Sequence, residues 1–243
     1  MAFAAALAQT IPAPPTITVS AAVSLTDALT SAAEAYGAGG HGGVRFNFAA
    51  SNVLAQQIID GAPVDVFISA DEAQMDAIER AGMVAAGTRV DLLGNQLAVV
   101  VPSDRRRTFA SIRDLLDPAF RRIAIGDPAG VPAGVYAKQY LERTGLWSTL
   151  QSRIVPSGSV RAALAAVETG AVDAAIVYRS DARIASRATV AWIVPAAEGP
   201  HIVYPAAILS GSHEQAAAKR FLDFLHGADA TRVFERFGFS TPH

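Results

Sequence analysis

Cysteine is absent from the 243 residues. That excludes disulfides, cysteine metal sites and thiol catalysis, and it leaves the compartment open. There is no excess of basic charge. The formal net charge is −2, which provides no global field for nucleic acid or for a membrane surface. No apolar run reaches the roughly 18 residues that a bilayer span needs. The histidines His41, His201, His213, His226 and His243 stand at no metal-ligand spacing. An H-E-x-x-H helix, a G-x-S-x-G elbow and an acidic calcium loop are also missing. An enzyme would have to assemble its reactive groups from residues distant in sequence. Arg105, Arg106 and Arg107 adjoin one another without interleaved aromatics. They read as a solvated loop rather than a nucleic-acid patch.

What is present is an apolar chain, 51% hydrophobic and 17% charged. It is long enough for one large domain or two small lobes. Residues 1–15 differ from the rest. Met1 to Gln9 is short and apolar, Ala6-Leu7-Ala8 resembles an A-x-A cleavage site, and no Lys or Arg precedes Arg45. This reads as the tail of a truncated secretory signal, with a floppy tail as the alternative. Thr10 to Pro15 is then a proline-rich linker.

From Thr16 onward one device recurs: a strand, a turn of small residues, then a helix start. Thr16 to Ala21 alternates as a strand and turns at Ser24 into the helical spacing of Leu25, Leu29 and Ala32. Val44 to Ala49 does the same, turning at Ser51 into a helix through Leu54, Ile58 and Ile59. Arg122 to Ile125 reads as a short buried strand, followed by a turn rich in glycine and proline. Pro132 suits a first helical turn, where its missing N–H costs nothing. Gly130 and Gly134 clear side chains from a place where something approaches the backbone. Arg153 to Ser157 leads to Ser159, a natural N-cap that leaves the Val160 amide at the tip. Helix starts of this kind carry unpaired N–H groups and partial positive charge, and they attract anions. The spacing Gly126, Gly130, Gly134 fits neither the dinucleotide nor the P-loop pattern, so no nucleotide phosphate is expected.

Each candidate has two readings. Ser24 and Ser51 are either N-caps or donors to a ligand oxygen. Tyr178 ends a buried strand, where ligands collect in open α/β sheets, or it simply caps a core. Arg161 touches an anion or, as preferred, forms an outward salt bridge. Asp65 and Asp71 read as turn and helix caps rather than an acid–base pair. Leu92 to Val101 reads as one long strand crossing between lobes, and Ile202 to Leu209 as the strand that returns. Glu214 to Leu225 and Ala230 to Phe237 read as terminal helices, the second stopped by Gly238.

Taken together, these stretches resemble a known family. The matching segments are Ala21 to Thr26, Phe48 to Ser51, Gly61 to Asp71, Leu93-Gly94-Asn95, and Gly126 to Pro128 with Val131 to Lys138. Val160 to Leu164, Ile176 to Tyr178 with Ser180-Asp181, and Arg236 to Phe239 complete the set. In that order they resemble the periplasmic molybdate-binding proteins of ABC transporters, the ModA family. The resemblance implies an α/β, type II periplasmic-binding-protein fold: two α/β lobes joined by a two-strand hinge, with the ligand cleft between them. Residues 1–15 would be a leader or signal remnant and linker, residues 16–94 plus 205–243 the first lobe, and residues 95–204 the second. It also implies a periplasmic monomer that binds molybdate, and with it tungstate, and delivers the ion to a cognate ABC permease. The protein would not be an enzyme and would need no cofactor, no metal cation and no nucleic acid.

Carried over by motif, Ser24 and Ser51 would donate from hydroxyl and amide, Ala133 and Val160 from backbone N–H, and Tyr178 from its phenol. Asn52 and Val53 stand where this family often carries small hydroxyl residues. A site of donors alone suits a dianion with acceptor oxygens only, and disfavours hydrogen phosphate, whose O–H would meet another donor. Sulfate shares the charge and shape, so its rejection rests on cavity size. The alternative is an α/β enzyme acting on a small anionic substrate in the same cleft. A regulator's sensor domain is weaker, because no helix-turn-helix segment flanks the fold.

Overall fold

A computed structural model describes residues 15–241; the leader reading falls almost wholly outside the described residues. The chain opens with strand β1 (Thr16–Ala22), a single 3-10 turn (Val23–Leu25) and helix α1 (Thr26–Ala38). Next come β2 (Gly43–Ala49), α2 (Ser51–Ile59), β3 (Val66–Ile68), α3 (Glu72–Arg80) and β4 (Val90–Asn95). A middle section follows: β5 (Leu97–Pro102), β6 (Ile123–Gly126), α4 (Pro132–Arg143), α5 (Trp147–Leu150), β7 (Ile154–Ser157) and α6 (Val160–Glu168). It closes with β8 (Ala174–Tyr178), α7 (Arg179–Ile184) and β9 (Ala188–Ile193). The last elements are β10 (Ile202–Ile208), α8 (Gln215–Leu225) and α9 (Ala228–Arg236).

These strands form two five-stranded sheets, ordered β2-β1-β3-β10-β4 and β7-β6-β8-β5-β9. The two sheets share one design. In the first, β1 lies parallel to β2 and β3, while β10 runs antiparallel to β3 and β4. In the second, β6 lies parallel to β7 and β8, while β5 runs antiparallel to β8 and β9. Buried parallel strands read as continuous apolar runs, and all five residues of β8 and all four of β6 are buried. Helices cover the sheets with apolar stripes: Phe221 and Leu225 of α8 are fully buried, and Phe224 packs half-buried beside them. Gly238 ends the last helix at φ +90, a conformation that only glycine takes without strain.

Leu92 to Val101 is not one strand. It is β4 and β5, in different sheets, broken at Gln96. The break has a local cause. The Asn95 side chain takes the Gln96 N–H (2.9 Å), which withdraws that donor from a ladder, while the Gln96 carbonyl already pairs with the second sheet by taking the Arg179 N–H, one step past the Leu97–Tyr178 pair. The chain returns to the first sheet between Ile193 and Ile202. Gln96 Nε2 donates to the Val194 carbonyl at 3.1 Å, which ties the two crossings together.

Candidate functional site

Ser24, Ser51, Ala133, Val160 and Tyr178 line one small cavity, together with Ala22, Val23, Ala50, Ala70, Val131 and Pro132. The first two stand at the ends of β1 and β2 in one sheet. The other three stand where β6, β7 and β8 of the second sheet run out. No charged side chain lines the space. The cavity is small, with an accessible volume of about 10 Å3.

Each junction leaves a donor facing inward. Helix α2 begins at Ser51 itself, with Ala50 in the capping position. The Ser51 hydroxyl therefore does not cap its helix. Its oxygen instead accepts the Ala70 N–H at 2.9 Å, which leaves the hydroxyl hydrogen free to turn toward the cavity. Ser24 is likewise no cap. It lies inside the 3-10 turn, where the capping position is Ala22, and its Oγ is 3.1 Å from the Tyr204 hydroxyl. The cap reading fails at both serines because each helix starts one or two residues away from where the polar residue suggested.

On the opposite side, Pro132 holds the first position of α4 and Ala133 the second. Amides of a first turn have no acceptor within their own helix, so the Ala133 N–H is available. This helix start is pressed hard against β6: a Cβ on Gly134 would lie 1.9 Å from the Gly126 carbonyl oxygen. Ser159 caps α6 as expected, accepting the Ala162 N–H at 3.1 Å, and so leaves the first-turn Val160 amide unpaired. Tyr178 is 1% exposed, and its hydroxyl has no hydrogen-bond partner among the described residues. Burial, reinforced by nearby Tyr204, Tyr136, Asp71 and Asp181, holds its pKa well above that of a free phenol. It therefore remains a donor. An orphaned hydroxyl in such a place costs about 1–3 kcal/mol until something accepts from it.

Arg161 forms the expected salt bridge and does not line the cavity, but it turns inward and is half-buried instead of pointing outward. Its Nε binds Asp181 Oδ1 at 2.6 Å, and its Nη2 reaches Asp27 Oδ2 at 2.7 Å and the Ser24 carbonyl at 3.4 Å. It sits on α6 of the second sheet and grips α1 of the first. Buried Asp181 behind it draws the side chain along the sheet ends instead of into solvent. Asn52 also faces across: its amide nitrogen is 3.3 Å from where a Cβ on Gly130 would stand, and its Oδ1 is buried without a partner. Asp71 caps α3 through the Gln74 N–H. Asp65 caps no helix; it accepts the Thr18 N–H and the Ser212 hydroxyl, tying β1 to the segment before α8. Among the described residues no group of three or more His, Asp or Glu side chains is placed to hold a metal. Three contributors were not singled out from sequence: Tyr204, Asn95 and Asp27. Only Asn95 carried a signal, as part of the Leu93-Gly94-Asn95 segment, and that signal assigned it no role.

Comparison with known proteins identifies the family to which this fold belongs. Residues 17–240 match the bacterial extracellular solute-binding protein family. The chain is 40% identical over 233 residues to the molybdate-binding protein ModA of Escherichia coli strain K12, covering 92% of this chain and 88% of that one. It is 34% identical to ModA of Haemophilus influenzae, covering 92% and 89% of the two chains. The periplasmic molybdate-binding protein of Azotobacter vinelandii superposes with a TM-score of 0.83 at 26% identity, over 93% of this chain and 100% of that one. The chain belongs to the bacterial extracellular solute-binding proteins and, within them, to the ModA family.

Proposed function

We propose that this protein captures molybdate, and tungstate with it, in the cavity between its two sheets and hands the ion to an ABC permease. The observation that carries the reading is the buried, unpartnered hydroxyl of Tyr178 in a ring of donors that holds no charge. Such a ring lacks one thing, an acceptor on every side, and a tetrahedral dianion supplies it. Ser24, Ser51, Ala133, Val160 and Tyr178 are its proposed ligands. The two sheets with their helices are the proposed lobes, and the crossings at Gln96 and between Ile193 and Ile202 are the hinge. An ion bridging both sides favours the closed arrangement by its differential contacts. The relatives are molybdate-binding proteins, and no turnover is expected. A periplasmic location and a monomeric state belong to the same proposal.

Calorimetry with molybdate, tungstate and sulfate side by side tests it. The first two ions should bind in one-to-one stoichiometry and raise Tm by several degrees at saturating concentration. Sulfate, being smaller, should bind far more weakly. An equal response to sulfate would remove molybdate as the assigned ligand.

A further inference from the structure

We propose that Asn95, acting through Tyr204, is a specificity-determining positioning residue: it fixes the direction of a hydrogen-bond chain so that Ser24 can only donate to the guest. This rests on the oxyanion reading above and explains how that site tells a bare oxyanion from a protonated one. The chain is buried throughout: Tyr204 is 0% exposed, Ser24 3% and Asn95 9%. Asn95 Nδ2 donates to the Tyr204 hydroxyl at 3.2 Å and to the Ser180 hydroxyl at 2.9 Å. Its amide orientation is set by the backbone, because Oδ1 accepts the Gln96 N–H at 2.9 Å. A flipped amide would put two donors face to face there.

The polarity follows. Tyr204 receives a hydrogen from Asn95, so its own hydrogen goes to Ser24 Oγ, 3.1 Å away. Burial keeps that phenol protonated, raising its pKa far above the ordinary value. Ser24 then accepts from Tyr204, and its hydrogen is left to turn into the cavity. Reversing the chain would let Ser24 accept from a guest O–H. The Tyr204 hydrogen would then point at the Asn95 amide hydrogen, and of the two side chains bonded to this hydroxyl among the described residues only Ser24 can accept. Ser51 is biased in the same sense by the Ala70 N–H. The difference is that a backbone amide sets Ser51, whereas a replaceable side chain sets Ser24.

The test compares molybdate, sulfate and arsenate by calorimetry in mildly alkaline buffer, where arsenate is a singly protonated dianion. Two variants are measured beside the wild type. Asn95→Asp supplies an acceptor and permits reversal; Tyr204→Phe removes the link while keeping the ring that packs against Tyr178 and Phe239. In Asn95→Asp the molybdate-to-arsenate affinity ratio should fall about tenfold or more, the scale set when a buried hydrogen-bonding group is mismatched. In Tyr204→Phe the ratio should fall about threefold to fivefold. The molybdate-to-sulfate ratio should hold in both, since both ions are unprotonated. A residue that merely supports the fold would weaken all three ions alike. Unchanged molybdate-to-arsenate ratios in folded Tyr204→Phe would overturn the relay while the oxyanion reading stood. Absence of oxyanion binding by the wild type would overturn both.

Discussion

Arg161 Nη2 lies 2.7 Å from Asp27 Oδ2, and the pair joins a helix of one sheet to a helix of the other. Behind it the same guanidinium holds Asp181, which is wholly buried. The two halves of this arrangement are unequal. In mildly alkaline buffer, where Asp181 is ionised, removing Arg161 strands a buried carboxylate, which typically costs about 3–5 kcal/mol. Asp27 is 43% exposed at its side chain, so water screens the loss of its contact to about 1 kcal/mol or less. Arg161→Ala should therefore unfold at clearly lower denaturant than wild type. Asp27→Ala should keep its stability and release molybdate a few-fold faster. Stopped-flow dissociation and urea melts read the two effects separately; equal loss of stability in both variants would contradict this division.

Tyr178→Phe makes a sharper case. The hydroxyl has no partner in the described structure, so deleting it removes nothing from the ligand-free fold. Molybdate affinity should drop by about 1–3 kcal/mol, while Tm without ligand stays level or rises. Calorimetry and a melt on the same sample suffice. A fall in ligand-free Tm with unchanged affinity would mean that the phenol serves the core and not the cavity.

Val160→Pro deletes one donor without touching a side-chain contact to the guest. Val160 is the first residue of α6, where proline is tolerated. Ser159 ahead of it is extended, at φ −159 and ψ 167, which suits a residue preceding proline. Affinity should weaken by about 1.5–3 kcal/mol, the range for a hydrogen bond to a charged group, with little change in Tm. Undiminished binding would take the Val160 amide out of the ligand set.

Gly134→Ala should fail for a packing reason. The added carbon would meet the Gly126 carbonyl oxygen at 1.9 Å, and that oxygen is backbone that no rotamer change can move. Overpacking of this kind costs about 1–3 kcal/mol, and more where nothing can yield. Because α4 must retreat from β6, the Ala133 amide should lose its aim as well. Denaturant melts should show the destabilisation and calorimetry the weaker binding. A fully stable variant would show that the helix start is looser than its contacts indicate.

The Asp181 carboxyl carries a pH dependence. Burial raises its pKa to about 7, against the downward pull of Arg161. In an unfolded chain the same group ionises near 4. Between those values the folded protein holds a proton that the unfolded chain has released, so stability falls as pH rises through the window. Tm should decline from mildly acidic to mildly alkaline buffer, and Asp181→Asn should flatten that slope. An identical slope in the variant would assign the dependence to other groups.

Much of the fold was legible because its signals are local. Alternating or continuous apolar runs mark β1, β2, β6 and β8, and small-residue turns mark the helix starts that follow them. Ser159 and Asp71 cap their helices as their positions suggest. Local signals also misled. Leu92 to Val101 reads as one apolar strand despite the interruption at Gly94-Asn95-Gln96, yet it serves two sheets that part at that interruption. Ser24 and Ser51 look like caps, yet their oxygens are engaged by Tyr204 and Ala70. Arg161 makes the salt bridge its charge suggested, but inward, with Asp27 and Asp181.

By itself, then, the order of residues determined which segments become strands, where helices begin, and which amides those beginnings leave unpaired. These are decided within a few residues, by side-chain size, φ restriction and capping chemistry. Only the tertiary structure decided that such starts converge on one hollow, and which way each hydroxyl there points. The partner of Ser24 is 180 positions away and that of Arg161 on α1 is 134 positions away. Hydrogen-bond direction depends on what stands opposite, and what stands opposite is settled when the two sheets pack.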